Sequence, residues 1–254
     1  MIARIEHKGR SFSVDLSKPL DISLPVQDGE EQLRAWWVDP VSMEPVQNGD
    51  VRYAVKDGAP VNFRNIRFNP HGHGTHTESV GHIAPEIHPV GRLFKRHFFT
   101  AQLISLLPET RRAPDAKEDL VITLEQLRNV LGDRPPEALV LRTLPHRDND
   151  GHRDWSGSNP CYLQSTACSW LRSIGVKHLL LDLPSVDREE DGGVLAAHHA
   201  FWDFPNTVDL ERTITELLHV PREVRDGEYL LELQLANFTN DAAPSRPVLY
   251  AILP

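Results

Sequence analysis

The chain has 254 residues, 40% hydrophobic and 25% charged, and its 27 Lys and Arg against 36 Asp and Glu give a formal charge of −9. That balance disfavours nucleic acid, whose binding rests on cations neutralising phosphates, and no run of about 18 apolar residues is present to span a membrane. The charged opening MIARIEHKGR lacks the apolar segment of a secretory signal, and Cys161 and Cys168 fit neither a disulfide framework nor a zinc finger. A cytoplasmic globular protein with one α/β domain over residues 1–254 is expected.

In chain order, Leu20 to Pro25 and Ala35 to Val38 are short apolar runs broken by proline, suited to strands and loops. From Val51 to Phe68 apolar residues alternate, first at odd positions (Val51, Tyr53, Val55, Val61, Phe63) and then at even ones (Ile66, Phe68). This predicts strand with a bulge near Arg64 and Asn65. Phe98 to Leu107 reads as a buried strand. Thr123 to Leu131 has helical spacing, with Thr123 as N-cap and Gly132 as stop. Ala138 to Leu144 and His178 to Leu183 are short apolar strands of the kind found in a fully covered sheet, and Tyr162 to Gly175 between them reads as a helix. Strand, helix, strand in this order predicts a βαβ unit. Thr213 to Val220 and Tyr229 to Phe238 return to strand, with a turn at Asp226-Gly227.

The chemistry concentrates in Pro70-His-Gly-His-Gly-Thr-His-Thr-Glu-Ser-Val-Gly-His82, which holds four of the chain's 13 histidines. Even spacing would put fewer than one there. Imidazole and carboxylate are the ligand types that suit zinc and manganese. If Thr75 to Glu78 is extended, His76 and Glu78 share one face because strand side chains alternate. Gly72 and Gly74 let the backbone bend so that His71 reaches the same point, and a following turn brings back His82.

Gly74-Thr75-His76-Thr77-Glu78, with His82 four residues on, resembles the signature of the cyclase-type metal-dependent hydrolases, the family of bacterial kynurenine formamidase and isatin hydrolase. The family pattern is His-x-Gly-Thr-His-x-Asp-x-Pro-x-His. Here the first histidine stands one residue further away, at His71 with His73 as the alternative, and Gly72 occupies its usual position. Glu78 replaces the aspartate and Val80 the proline. Leu181-Asp-Leu-Pro-Ser-Val-Asp187 followed by Ala197-His-His199 is similar to the second family block, and Thr213-Ile-Thr-Glu-Leu-Leu218 to the third. Asp15-Leu-Ser17 matches its opening strand.

The resemblance implies a β-barrel-like mixed sheet flanked by helices and a site for one or two Zn2+ or Mn2+ ions. His71, His76 and Glu78 would hold one ion; His198 (with His199 as the alternative) and Glu216 would hold a second, with Glu78 as a bridge. His82 would be the general acid and base. The implied activity is hydrolysis of an amide, an aryl formamide such as N-formylkynurenine or a cyclic amide. A non-catalytic metal-binding homologue and a cyclase closing a lactone or lactam ring are the alternatives. The implied partners are a small-molecule substrate and further copies of the chain, as a homodimer or larger. Trp36, Trp37, Phe63, Phe201 and Trp202 are candidates for a flat pocket, or for core. The polar block Asp241 to Arg246 carries no assigned role.

Overall fold

The continuous apolar runs become the middle of one sheet, because only strands covered on both faces can be apolar at every position. The computed structural model describes residues 1–29, 31–113, 117–132, 135–147 and 150–253. Its main strands are β1 (Leu20–Asp21), β2 (His76–Glu78), β3 (Phe98–Leu106), β4 (Ala138–Thr143), β5 (His178–Leu181), β6 (Thr213–Glu216), β7 (Gly227–Glu232), β8 (Ala242–Pro244) and β9 (Val248–Ala251). They form a nine-stranded mixed sheet in the order β8-β2-β6-β5-β4-β3-β7-β9-β1, curled into a half-barrel. Neighbours from β3 to β6 are parallel, and the strands at both flanks are antiparallel.

Alternate residues of the central strands serve two cores. Leu139, Leu141, Leu179 and Leu181 pack with Leu127, Leu171, Phe201 and Trp202, which come from the helices α2 (Leu124–Val130), α3 (Ser165–Ser173) and α4 (Ala196–Trp202). A short helix α1 (Val90–Leu93) precedes them. Ala138, Val140 and Leu180 face the other way, against Leu231, Leu233 and Leu249. The sheet's own curl supplies that second cover. Strand β4, helix α3 and strand β5 make the expected βαβ unit, with Ala138 registered against His178. Thr123 caps α2 in a reciprocal box: its Oγ1 accepts from Gln126 N, and Gln126 Oε1 accepts from Thr123 N at 3.0 Å.

Three expectations need correction. No single strand runs from Val51 to Phe68. The segment forms two small hairpins, Gln47–Asn48 with Val51–Arg52 and Ser42–Pro45 with Arg64–Arg67, and a 3-10 turn at Val55–Asp57. Val51, Val55, Val61, Phe63 and Ile66 are exposed, so the alternation marks no buried face, and its change of phase falls at the start of the strand Arg64–Arg67, which pairs with Ser42–Pro45 without a bulge. Secondly, α3 begins at Ser165 rather than Tyr162, because Tyr162–Leu163 pair in parallel with Val121–Ile122. Thirdly, the later strands are shorter. Leu217 turns into the left-handed region (φ 56°) directly after Glu216, and β7 stops at Glu232. No helix of the described residues is long and apolar enough to cross a membrane.

At the start of β5, His178 sits against the Phe94 and Phe99 rings with Nδ1 2.8 Å from Thr213 Oγ1. It borders a cavity of about 410 Å3, where Arg96 and Lys8 are paired with Glu137 and Lys95 with Glu211. Burial, assisted by the nearby Arg96, pushes its imidazole down to about 3. Above pH ~6.5 His178 is neutral in both states and contributes no pH dependence. Below that, the unfolded chain takes up a proton that the folded one refuses. Stability is therefore lost as pH falls from ~6.5 towards about 3. Urea unfolding of wild type and His178→Phe at pH 7 and pH 5 should show a smaller acid loss in the variant. Equal losses would remove His178 as the cause.

Candidate metal centre

The loop from Asn69 to Thr75 is shaped before it reaches the sheet. Asn69 Oδ1 accepts from His71 N at 2.8 Å and Gly72 N at 3.2 Å, folding the chain back on itself. A Cβ at Gly72 would stand 2.8 Å from a Val38 methyl and 3.1 Å from Ala35 O. Position 72, where the family pattern carries a histidine, has no room for a side chain here. Gly74 has φ +108°, which disfavours any other residue. Thr75 then joins three segments: its hydroxyl donates to Leu217 O at 2.5 Å and accepts from Leu24 N at 2.7 Å.

Strand β2 places His76 and Glu78 on one face, both fully buried, and its register sets Glu216 of β6 opposite His76. His76 Nδ1 donates to Gly74 O at 3.1 Å, which leaves Nε2 as the free lone pair, 3.4 Å from Glu216 Oε2. Helix α4 delivers His198, with Nε2 3.1 Å from Glu78 Oε1 and Nδ1 2.6 Å from Asp187 Oδ2. Asp187 also accepts from the N–H groups of Ala197 and His198, so one carboxylate fixes both the start of α4 and the ring it carries. His71 Nδ1 lies 3.1 Å from Glu78 Oε2. His82 stands at the rim, its side chain 31% exposed and Nδ1 3.8 Å from the same Glu78 oxygen.

His71, His76, Glu78, His82, His198 and Glu216 therefore converge on one point. Two neighbours do not. His73 accepts from Asn69 N at 2.9 Å and faces a cleft with Trp37 and Phe68, while His199 turns to Phe204 O. Of the candidate pocket aromatics, Phe201 and Trp202 are core, Trp37 and Phe63 are exposed, and Trp36 packs beside Leu33, Trp155 and Leu217. Glu211 is the exposed partner of Lys95. The cysteines are buried free thiols.

Two carboxylates escaped the sequence reading. Asp187 lay within the quoted second block but carried no role. Asp241 opens the polar block and directly precedes β8, and its Oδ2 is 2.9 Å from His71 Nε2 and 3.6 Å from His82 Nδ1. An acidic residue opening a polar, proline-bearing stretch was its one local signal.

The cluster suits a cation. Burial disfavours ionised Glu78, but His82, His198 and His71 outweigh it and hold the carboxyl well below its usual range. The burial of His71 and His198 would lower their pKa values, yet the adjacent carboxylates push both up to about 10. Four carboxylates (Glu78, Glu216, Asp187 and Asp241) around these imidazoles make a site that calls for positive charge. His76 Nε2 and Glu78 Oε2 are buried without a hydrogen bond of acceptable geometry. Buried polar atoms are normally satisfied, and a divalent ion would satisfy both. Three sets of donor atoms lie within 4.8 Å of one another: His71, His76 and Glu78; His71, His82 and Asp241; and Glu78, His82 and His198.

A curled mixed sheet carrying a buried His and Glu donor set defines a protein built to hold a divalent cation. The Cyclase family model matches residues 14–188, and the chain belongs to that family. A kynurenine formamidase of Bordetella avium is 29% identical over 237 residues, 92% of this chain and 96% of the relative. The fold is shared with a "predicted metal-dependent hydrolase" of Bacillus stearothermophilus (TM-score 0.60, 17% identity, 92% and 98% of the two chains covered). Isatin hydrolase A of Ralstonia solanacearum is a further structural neighbour (TM-score 0.62, 13% identity, 92% of each chain).

Proposed function

We propose that the protein is a metal-dependent hydrolase of carbon–nitrogen bonds other than peptide bonds, acting on an aryl formamide of the N-formylkynurenine kind or on a cyclic amide. The observation that carries this is the pair of buried, unsatisfied atoms His76 Nε2 and Glu78 Oε2, aimed into a ring of imidazoles and carboxylates. His71, His76, Glu78, His198 and Glu216 would hold one or two Zn2+ or Mn2+ ions. A divalent ion supplies an activated water near neutral pH and polarises the amide carbonyl.

The protein's own groups do the rest. Asp187 orients His198, and Glu216 is steadied by Val186 N, which donates to Oε1 at 3.1 Å. His82 faces Glu78 and Asp241 with Nδ1, which leaves Nε2 to take the proton of the attacking water and return it to the departing amine. Its place at the solvent rim suits a proton carrier better than a ligand. The reading includes a cytoplasmic protein with a small-molecule substrate that assembles as a homodimer or larger; the exposed Val51, Val61, Phe63 and Ile66 give apolar surface in support.

Metal analysis before and after chelation, with an aryl formamide as substrate, tests the reading. One or two equivalents of Zn2+ or Mn2+ should co-purify or reconstitute, and activity should vanish on chelation and return with metal. Hydrolysis in labelled water should put the label in the product, which ring closure would not do. A folded protein that takes up no metal would end the proposal.

A further inference from the structure

We infer that Asp241 is the positioning residue of this centre, holding His71 with Nδ1 turned to Glu78 and steadying His82 through the same oxygen. This rests on the metal reading above. An imidazole has two nitrogens, and those of His71 face two carboxylates: Nδ1 is 3.1 Å from Glu78 Oε2 and Nε2 is 2.9 Å from Asp241 Oδ2. If Nδ1 offers its lone pair to the cation, Nε2 carries the proton and donates it to Asp241. The same arrangement stands across the site. His198 Nε2 faces Glu78 Oε1 while its Nδ1 meets Asp187 Oδ2. Each oxygen of Glu78 is thus faced by an imidazole that an aspartate holds from behind.

The need for such a support on this side comes from the loop. His71 stands one residue before the position that the motif would use, and Gly72 is too crowded to carry a side chain. Its ring must reach in from a turn rather than from a strand, so local backbone geometry alone does not aim it. Asp241 is itself well placed to do so. Its carbonyl accepts from Ser79 N at 3.0 Å, and the next residue, Ala242, is the register partner of Glu78. Gly81 lets the two segments close up, since a Cβ there would lie 3.1 Å from Asp241 Cβ. The His71 and His82 rings lie 4.3 Å apart, tilted by 32°, with Asp241 Oδ2 within reach of both.

Zn2+ titration of the metal-free protein against a chromophoric chelator tests this, with circular dichroism confirming the fold of each variant. Asp241→Asn keeps the shape and should weaken Zn2+ binding roughly 10- to 100-fold, the range for loss of a carboxylate behind a ligand histidine. Asp241→Glu should recover part of the loss. In a His71→Ala background, Asp241→Asn should make no further difference, because the support acts through the ring. In the zinc-loaded wild type, 15N shifts should show the His71 proton on Nε2 in a charge-assisted hydrogen bond, and Asp241→Asn should weaken that bond and move the Nε2–H shifts towards those of a neutral partner. Wild-type affinity in Asp241→Asn, or losses that simply add in the double variant, would overturn the inference while leaving the metal reading intact. Failure of the wild type to bind Zn2+ would overturn both.

Discussion

Glu78→Gln is expected to cost more than any other single change at this site. Glu78 is wholly buried, and His71, His82 and His198 all face its two oxygens at 3.1 to 3.8 Å. Glutamine has nearly the same shape but presents one neutral oxygen and an N–H2 group, which would point donors at imidazoles or at a cation. Metal affinity should fall by well over the roughly 100-fold that a supporting carboxylate is worth. Turnover should fall with it by at least about 1,000-fold, since the ion's charge stabilisation amounts to several kcal/mol. Elemental analysis and a hydrolysis assay on the purified variant check this. Stoichiometric metal in Glu78→Gln would mean that Glu78 is not a ligand.

His82→Ala should separate chemistry from metal binding. His82 lies furthest from Glu78 of the three imidazoles and is the most exposed of them. Its loss should leave the ion in place and lower kcat by about 100- to 10,000-fold, the usual contribution of a positioned acid–base group. KM should change little, because the group acts in the transition state rather than in substrate binding. Loss of metal along with activity would instead make His82 a ligand and leave the proton transfer to another group.

How much of this was legible in the residues depends on how local each signal is. The capping box of Thr123 and Gln126 could be read directly, because a cap needs only four consecutive residues. The apolar runs of β4 and β5 were legible because a strand covered on both faces has no polar phase to hide it. Alternation from Val51 to Phe68 misled for the opposite reason: it counts polarity, and polarity implies burial only where another element arrives to cover the face. None does so at Val51, Phe63 or Ile66 among the described residues.

The site divides along the same line. By itself, the sequence determined the donor types, the closeness of His71, His76, Glu78 and His82 along the chain, and the family motifs that brought in His198 and Glu216. Tertiary structure alone decided which of His71 and His73, and which of His198 and His199, faces inward. Gly72 packs against Val38, Asn69 turns His73 away, and Asp187 aims His198 while His199 turns to Phe204. It also brought in Asp241, 170 residues from His71, by pairing β8 beside β2. Strand neighbours across such a distance are chosen by the packing of the whole sheet, and no local pattern of residues records that choice.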